Sequence, residues 1–345
     1  MRYPVLAQLV LCAALTLWGT AAPALEIEAE TVFAATQPTS ELQILSTTDT
    51  DVFVPIIEAF QRANPGVSVR YVEASSSQIS RAIVVENARF DVVISSAMDL
   101  QTQLANDGYA RQYQSPATAL VPEWGVWRDS IFVFTQEPAT MVVARAAFEQ
   151  LPPPTTRLDL IELLRAQPDA FRGRIGTYDV RSSGLGYLFA TQDSRTTEAY
   201  WRMTELMGQL DVQLYCCSSE MIEDVASGRI AIAYNVLGSY AAARQDLADQ
   251  VMIIEPADYT TVMSRSAMIL ATTRNAQGAE RFIDHLLVTA WSPGSTAFAY
   301  SNPLLNAAET RPNLRRIPLG PGLLVFLDRL KRRQFLTEWE NAIVQ

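Results

Sequence analysis

Residues 42–72 read LQILSTTDTDVFVPIIEAFQRANPGVSVRYV, and their reading decides the fold. Residues 42–45 are a short apolar run of the kind that forms a buried strand. The polar residues Ser46, Thr47, Thr48, Asp49, Thr50 and Asp51 follow as a loop. Val52, Phe53, Ile56, Ile57 and Phe60 then recur at helical spacing through residue 63. Asn64-Pro65-Gly66 stops that helix, and residues 67–72 alternate as a second strand.

The same rhythm continues outward. Ser75, Ser76 and Ser77 open a helix to about residue 87, residues 90–94 form a third strand, and Ser95-Ser96 leads to a short helix ended by Gly108. A β-α-β-α-β order predicts an α/β fold with a parallel sheet covered by helices on its faces. In such sheets, ligands sit beyond the carboxyl ends of the strands. Three strand ends here carry hydroxyls: Thr47 and Thr48 with Asp49, then Ser76 and Ser77, then Ser95 and Ser96. Each lies at or near a helix N-terminus, where free N–H groups and the helix dipole favour an anion. Plain N-capping selects the same residue types and is the competing explanation.

In residues 124–145 the alternation after Gly125 predicts a long strand crossing to a second lobe, with Trp127 and Arg128 facing the cleft or lying on its surface. A strand over residues 175–178 leads to Arg181, Ser182, Ser183, Gly184 and Tyr187, a helix mouth with a planar guanidinium suited to carboxylate or phosphate. A surface Arg at a helix start is the alternative. The Lys and Gly spacing of a P-loop is missing. After a strand at residues 230–234 come Asn235 and Tyr240, read as a ligand loop or as an aromatic wall. The apolar residues 266–271 return to the first lobe, and residues 282–288 and 323–342 are helical.

At the N-terminus, Arg2, an apolar run over residues 5–18 and Ala22-Pro23-Ala24 have the form of a signal peptide cleaved after about Ala24. Without Arg2 the formal charge moves from −10 to −11. That acidity argues against nucleic acid as a partner, whereas a cleft can still be locally positive. Beyond the leader the cysteines are Cys216 and Cys217. Adjacent cysteines staple no distant segments, and they form either a vicinal disulfide or two thiols. His285 sits in a helical pattern that predicts a packed or surface side chain. Neither a G-x-S-x-G elbow nor an H-E-x-x-H motif is present.

The leader, the Ser46–Asp51 loop, the helix ending FQRANPG at residues 60–66, and FDVVIS at residues 90–95 resemble the first lobe of ABC-transporter substrate-binding proteins. GRIAIAYN at residues 228–235 and AQGAERFID at residues 276–284 resemble later landmarks. The branch most resembled holds ferric-iron, phosphosugar and phosphoglycerate binders. The resemblance implies a type II periplasmic-binding-protein fold, with two α/β lobes, two hinge crossings and closure on ligand. It divides the chain into a leader (1–24), a loose lead (25–40), lobe 1 (41–138), lobe 2 (139–262), and a return to lobe 1 with C-terminal helices (263–345).

The expected function is periplasmic capture of a small anion, an organic carboxylate or phosphorylated metabolite, by a monomer with no cofactor. The partner is an inner-membrane ABC permease, a sensor histidine kinase, or both. The expected contacts are Thr47, Thr48, Asp49, Ser76, Ser77, Ser95, Ser96, Arg128, Arg181, Ser182, Ser183, Gly184, Tyr187, Asn235 and Tyr240. Ferric iron is the alternative, held by Tyr187, Tyr234 and Tyr240, although Ser239 stands where iron binders of this branch have a second adjacent Tyr. A secreted hydrolase on the same scaffold is a further alternative.

Overall fold

The computed structural model describes residues 25–295, 298 and 311–344; the expected leader, residues 1–24, lies outside the described residues. The strands are β1 (Ala29–Phe33), β2 (Ser40–Ser46), β3 (Val67–Glu73), β4 (Val92–Ser95), β5 (Val126–Trp127), β6 (Ile131–Val133), β7 (Glu137–Ala144), β8 (Ile175–Tyr178), β9 (Gln213–Tyr215), β10 (Ile232–Leu237), β11 (Val251–Ile254), β12 (Thr260–Met263), β13 (Ser266–Ile269) and β14 (Leu314–Arg316). The helices are α1 (Thr50–Ala63), α2 (Ser76–Val84), α3 (Met98–Asn106), α4 (Arg157–Ala166), α5 (Pro168–Phe171), α6 (Gly184–Thr196), α7 (Ala199–Gln209), α8 (Ser218–Ala226), α9 (Gly238–Ala243), α10 (Ala276–Trp291) and α11 (Arg329–Ile343).

Two sheets make two lobes. The first has strand order β1-β3-β2-β4-β13-β6-β5, and the second β14-β12-β7-β10-β8-β9 with β11 also on β7. The central trio β3-β2-β4 is parallel, as the β-α-β-α-β rhythm requires, and antiparallel strands flank it. On one face α1 buries Phe53, Ile56, Ile57 and Phe60 against Phe282, Ile283, Leu286 and Leu287 of α10. On the other, Ile79, Ala82 and Ile83 of α2 pack on Leu45, Val72 and Val93. His285 is half-buried on α10, its ring nitrogen 3.2 Å from the Ile56 carbonyl oxygen.

Three expectations are corrected. The lead over residues 25–40 contains β1, an edge strand held antiparallel on β3 and pinned by Glu30 to Arg70. Residues 124–134 are not one long crossing strand. A 3-10 turn over residues 123–125 precedes β5, and Arg128 and Asp129 reverse the chain with φ of +52° at each. The hairpin β5–β6 stays in the first sheet. The C-terminal helix does not accompany the return to the first lobe. Phe335, Trp339, Ala342 and Ile343 give α11 an apolar face, and it packs on α7 in the second lobe, where Tyr200 and Trp201 lie.

The lobes are joined where β6 passes into β7 through Phe134, Thr135 and Gln136, and where β12 passes into β13 through Ser264 and Arg265. The two crossings are tied together. Phe134 N–H donates to the Arg265 carbonyl (3.0 Å), and Arg265 N–H donates to the Thr135 hydroxyl (3.0 Å). A third passage, from α10 to β14, runs through residues 292–313, most of which lie outside the described residues.

Candidate functional site

The crossings form the floor of a chamber of about 730 Å3 between the lobes. Its first wall is the β2–α1 loop and the start of α1, with Thr48, Asp49, Asp51 and Phe53. Its second wall is α8 and α9, with Ser219, Glu223, Ser239 and Tyr240. The β2 strand positions the first wall by ending in a tight polar turn. Thr48 N–H donates to the Ser46 hydroxyl, and the buried Tyr71 hydroxyl donates to the Thr48 carbonyl oxygen at 2.8 Å.

At the floor, Arg265 is 2% exposed and Glu137 4%. Arg265 Nε donates to Glu137 Oε1 at 3.1 Å, and Nη1 donates to the Thr48 hydroxyl at 2.7 Å and to that of Thr47 at 3.3 Å. Thr135 and Ser239 donate to the two Glu137 oxygens. Burial alone would raise Glu137, but the Arg265 guanidinium and these donors outweigh it and hold the carboxyl below its ordinary value. A buried charge pair with its remaining valences filled is the form in which such a pair can persist away from water.

Asp49 spans the chamber mouth. Its carboxylate accepts from the Ser219 hydroxyl (3.1 Å) and the Tyr240 hydroxyl (3.3 Å), both on the second lobe. Tyr240 is pushed upward by burial and by the Asp49 and Glu137 carboxylates, with Arg265 opposing, so it stays a neutral donor. On the remaining hydroxyls, Ser96 N–H donates to Thr47 Oγ1, fixing the β2 and β4 ends to one another, and Ala97 N–H donates to Ser95 Oγ within the turn after β4.

A second, smaller chamber of about 280 Å3 holds Ser77, Arg181, Ser182, Ser183, Gly184 and Tyr187. Here capping explains much of the pattern. Ser75 and Ser183 accept from the N–H groups of Gln78 and Gly186 as the N-caps of α2 and α6. Ser77 donates across the lobes to the Ser182 carbonyl oxygen at 2.9 Å. Arg181 is matched in full: Nε and Nη2 meet the two Asp179 oxygens at 2.8 and 2.6 Å. Gly184 serves close approach, but to the other lobe rather than to a ligand.

The expected residues therefore divide. Thr48, Asp49 and Tyr240 share the larger chamber, and Ser77 and Arg181–Gly184 with Tyr187 share the smaller one. Arg128 lines neither; its guanidinium lies 5.3 Å over the Trp127 ring at the far edge of the first sheet. Asn235 is not in a loop. β10 runs on to Leu237, and a register shift turns Asn235 (φ +64°) into the second lobe, where its amide donates to Asp193 at 2.9 Å. Tyr234 is buried in the same network, bonded to Asp193 and Arg157.

The three tyrosines of the iron alternative are not brought together. Tyr234 faces that interior network, Tyr187 donates to the Phe326 carbonyl oxygen, and Tyr240 faces Asp49. Burial raises all three, Tyr187 to about 12.

Sequence reading missed Glu137, Arg265, Phe53, Ser219 and Ser239. The signal for the first two was a lone charge between apolar strands, in Gln136-Glu137-Pro138 and Ser264-Arg265-Ser266, but a surface turn looks the same. Cys216 and Cys217 form a disulfide with one another immediately before α8. Among the described residues, no helix is long and apolar enough to cross a membrane.

A family model described as bacterial extracellular solute-binding protein matches residues 42–290. Among solved structures, the substrate binding protein of the ABC transporter from Agrobacterium tumefaciens is similar at TM-score 0.86 and 33% identity, covering 93% of this chain and 100% of that one. The periplasmic binding protein AfuA from Actinobacillus pleuropneumoniae, with fructose-6-phosphate bound, matches at TM-score 0.68 and 15% identity, covering 88% and 99%. Iron-bound HitA from Pseudomonas aeruginosa matches at 0.63 and 14%, covering 88% and 99%. At such identities AfuA and HitA share the fold alone. No curated protein matches the chain.

Proposed function

The chain belongs to the family of bacterial extracellular solute-binding proteins, and from that premise we propose that it is the periplasmic receptor of an ABC uptake system, a monomer that holds one small organic solute in the larger chamber. The observation that carries this reading is a 730 Å3 chamber bridged by Asp49 to Ser219 and Tyr240 of the facing lobe. A solute touching both walls binds the closed form better than the open one and draws the hinge shut. The closed receptor delivers its solute to an inner-membrane permease, binding without turnover; a sensor kinase reading the same occupancy is the other partner compatible with closure.

The second reading is an anion, the class expected from Arg181, held in the smaller chamber in place of a solute in the larger one. The feature favouring it is Arg332, which lines that chamber with no ion-pair partner among the described residues; Arg81 pairs with Glu86 and Arg181 with Asp179. Native mass spectrometry of protein purified without refolding tests the receptor reading. The expected result is one bound small molecule per chain, released on denaturation. A bare mass, together with no calorimetric response to a broad panel of metabolites, would overturn it.

A further inference from the structure

The charge and shape of the larger chamber carry the receptor reading further. Four carboxylates line it (Asp49, Asp51, Glu137 and Glu223) against two guanidiniums, Arg244 and Arg265. The guanidiniums are spent. Arg265 is locked to Glu137, and Arg244 meets Asp246 at 2.8 Å and Glu223 at 3.3 Å. Asp49 and Asp51 have no basic partner among the described residues. The two donors to Asp49 are neutral hydroxyls, which solvate its charge without cancelling it. The field around it is negative as well: Glu28 is raised by burial and then by the carboxylates of Glu73, Asp49, Glu26 and Glu220. Phe298 and Tyr240 supply partly exposed aromatic surface to the same chamber, which Phe53 and Phe134 line as fully buried rings. A wall of π-faces beside an uncompensated carboxylate is the environment in which organic cations are held, and the space is far larger than a bare metal ion occupies.

Resting on the receptor reading above, we infer that the solute of the larger chamber is an organic cation, an ammonium or cationic heteroaromatic compound, whose charge sits against Asp49 and whose body lies on the aromatic wall. The carboxylate has two roles under this assignment, as counter-ion to the solute and as the contact that meets Ser219 and Tyr240 when the lobes close. An anion in the same place faces Asp49 and Asp51 with no free guanidinium to offset them.

The test uses the full secreted chain. Choline, benzylammonium and 1-methylnicotinamide are titrated in a calorimeter beside the neutral benzyl alcohol and the anions benzoate and glycerol 3-phosphate, and the charge of any co-purifying solute is read by mass spectrometry. The expected result is that cations bind one per chain and the anions do not. Asp49→Asn should weaken cation binding by roughly tenfold to a hundredfold, the loss of one charge-assisted contact, and leave benzyl alcohol unchanged. If Asp49→Asn weakens benzyl alcohol equally, Asp49 is a closure contact only and the inference fails. If anions bind, or the co-purifying solute is an anion, the charge assignment is overturned while the receptor reading stands. If no solute co-purifies and no probe binds, both are overturned.

Discussion

Gly184 of the second lobe packs so closely against Ser76 of the first that a β-carbon at 184 would lie 2.5 Å from the Ser76 hydroxyl oxygen and 3.1 Å from a Leu100 methyl. Contact this tight is possible only with the lobes together. Gly184→Ala should therefore fold normally and resist closure. The expected outcome is about tenfold weaker solute binding, the equivalent of about 1.4 kcal/mol, with X-ray scattering of the liganded variant remaining at the unliganded radius. Adding Ser76→Gly removes the obstructing hydroxyl and should restore most of the affinity.

Glu137→Gln should destabilise by about 3–5 kcal/mol, because Arg265 is left buried without its counter-charge. Urea denaturation at neutral pH measures this. The pH dependence has a definite sign. Glu137 is depressed below its ordinary 4.5, so its contribution is present in full above that value and is lost as pH falls through the lower folded value. Wild type should therefore lose stability on acidification below about pH 4.5 more steeply than the variant does.

Asp99 gives the opposite sign. Burial raises its carboxyl from 3.8 to about 7, with its hydrogen bond from Leu100 N–H opposing. The folded chain then holds a proton that the unfolded chain has released, so stability falls as pH rises from 3.8 to about 7 and levels off above that. Asp99→Asn keeps an acceptor for Leu100, should abolish that slope, and should be more stable than wild type at pH 8. Thermal unfolding across this range checks it.

Asp193 gathers Arg157, Tyr234, Asn235 and Tyr259 inside the second lobe. Asp193→Ala should cost about 3–5 kcal/mol, because it removes the shared acceptor of Tyr234, Asn235 and Tyr259 and leaves buried Arg157 with Asp258 as its remaining carboxylate. Tyr234→Phe should cost about 1–3 kcal/mol by removing one satisfied hydroxyl and leave solute affinity unchanged. A loss of affinity at constant stability in Tyr234→Phe would place Tyr234 at the ligand after all.

The first lobe was legible because its signals are local. Apolar spacing at Phe53, Ile56, Ile57 and Phe60 marks α1, and Asn64-Pro65-Gly66 marks its end. Asp49 and Tyr240 were also reachable, since strand-end polar residues follow from a parallel sheet. Arg265 and Glu137 were not, because what makes them a site is a pairing across 128 positions in the chain. Arg181 misled for a related reason: a guanidinium at a helix mouth reads as an anion clamp until Asp179, two residues away, is seen to occupy it. Tyr234 and Asn235 misled because a bulge in β10 reverses which side of the sheet they face, and alternation alone cannot register a bulge.

The tie between the two crossings at Phe134, Thr135 and Arg265 has a kinetic consequence. A joint that is cross-linked acts as a pivot, and atoms at a pivot travel little while those at the rim sweep through the full opening arc. Thr48, Arg265 and Glu137 thus present nearly the same surface to an arriving solute as to a captured one. Asp49, Ser219 and Tyr240 come together only at the end of the stroke. Changes at the pivot should alter how fast and in what orientation a solute enters, and changes at the rim should alter how long it stays.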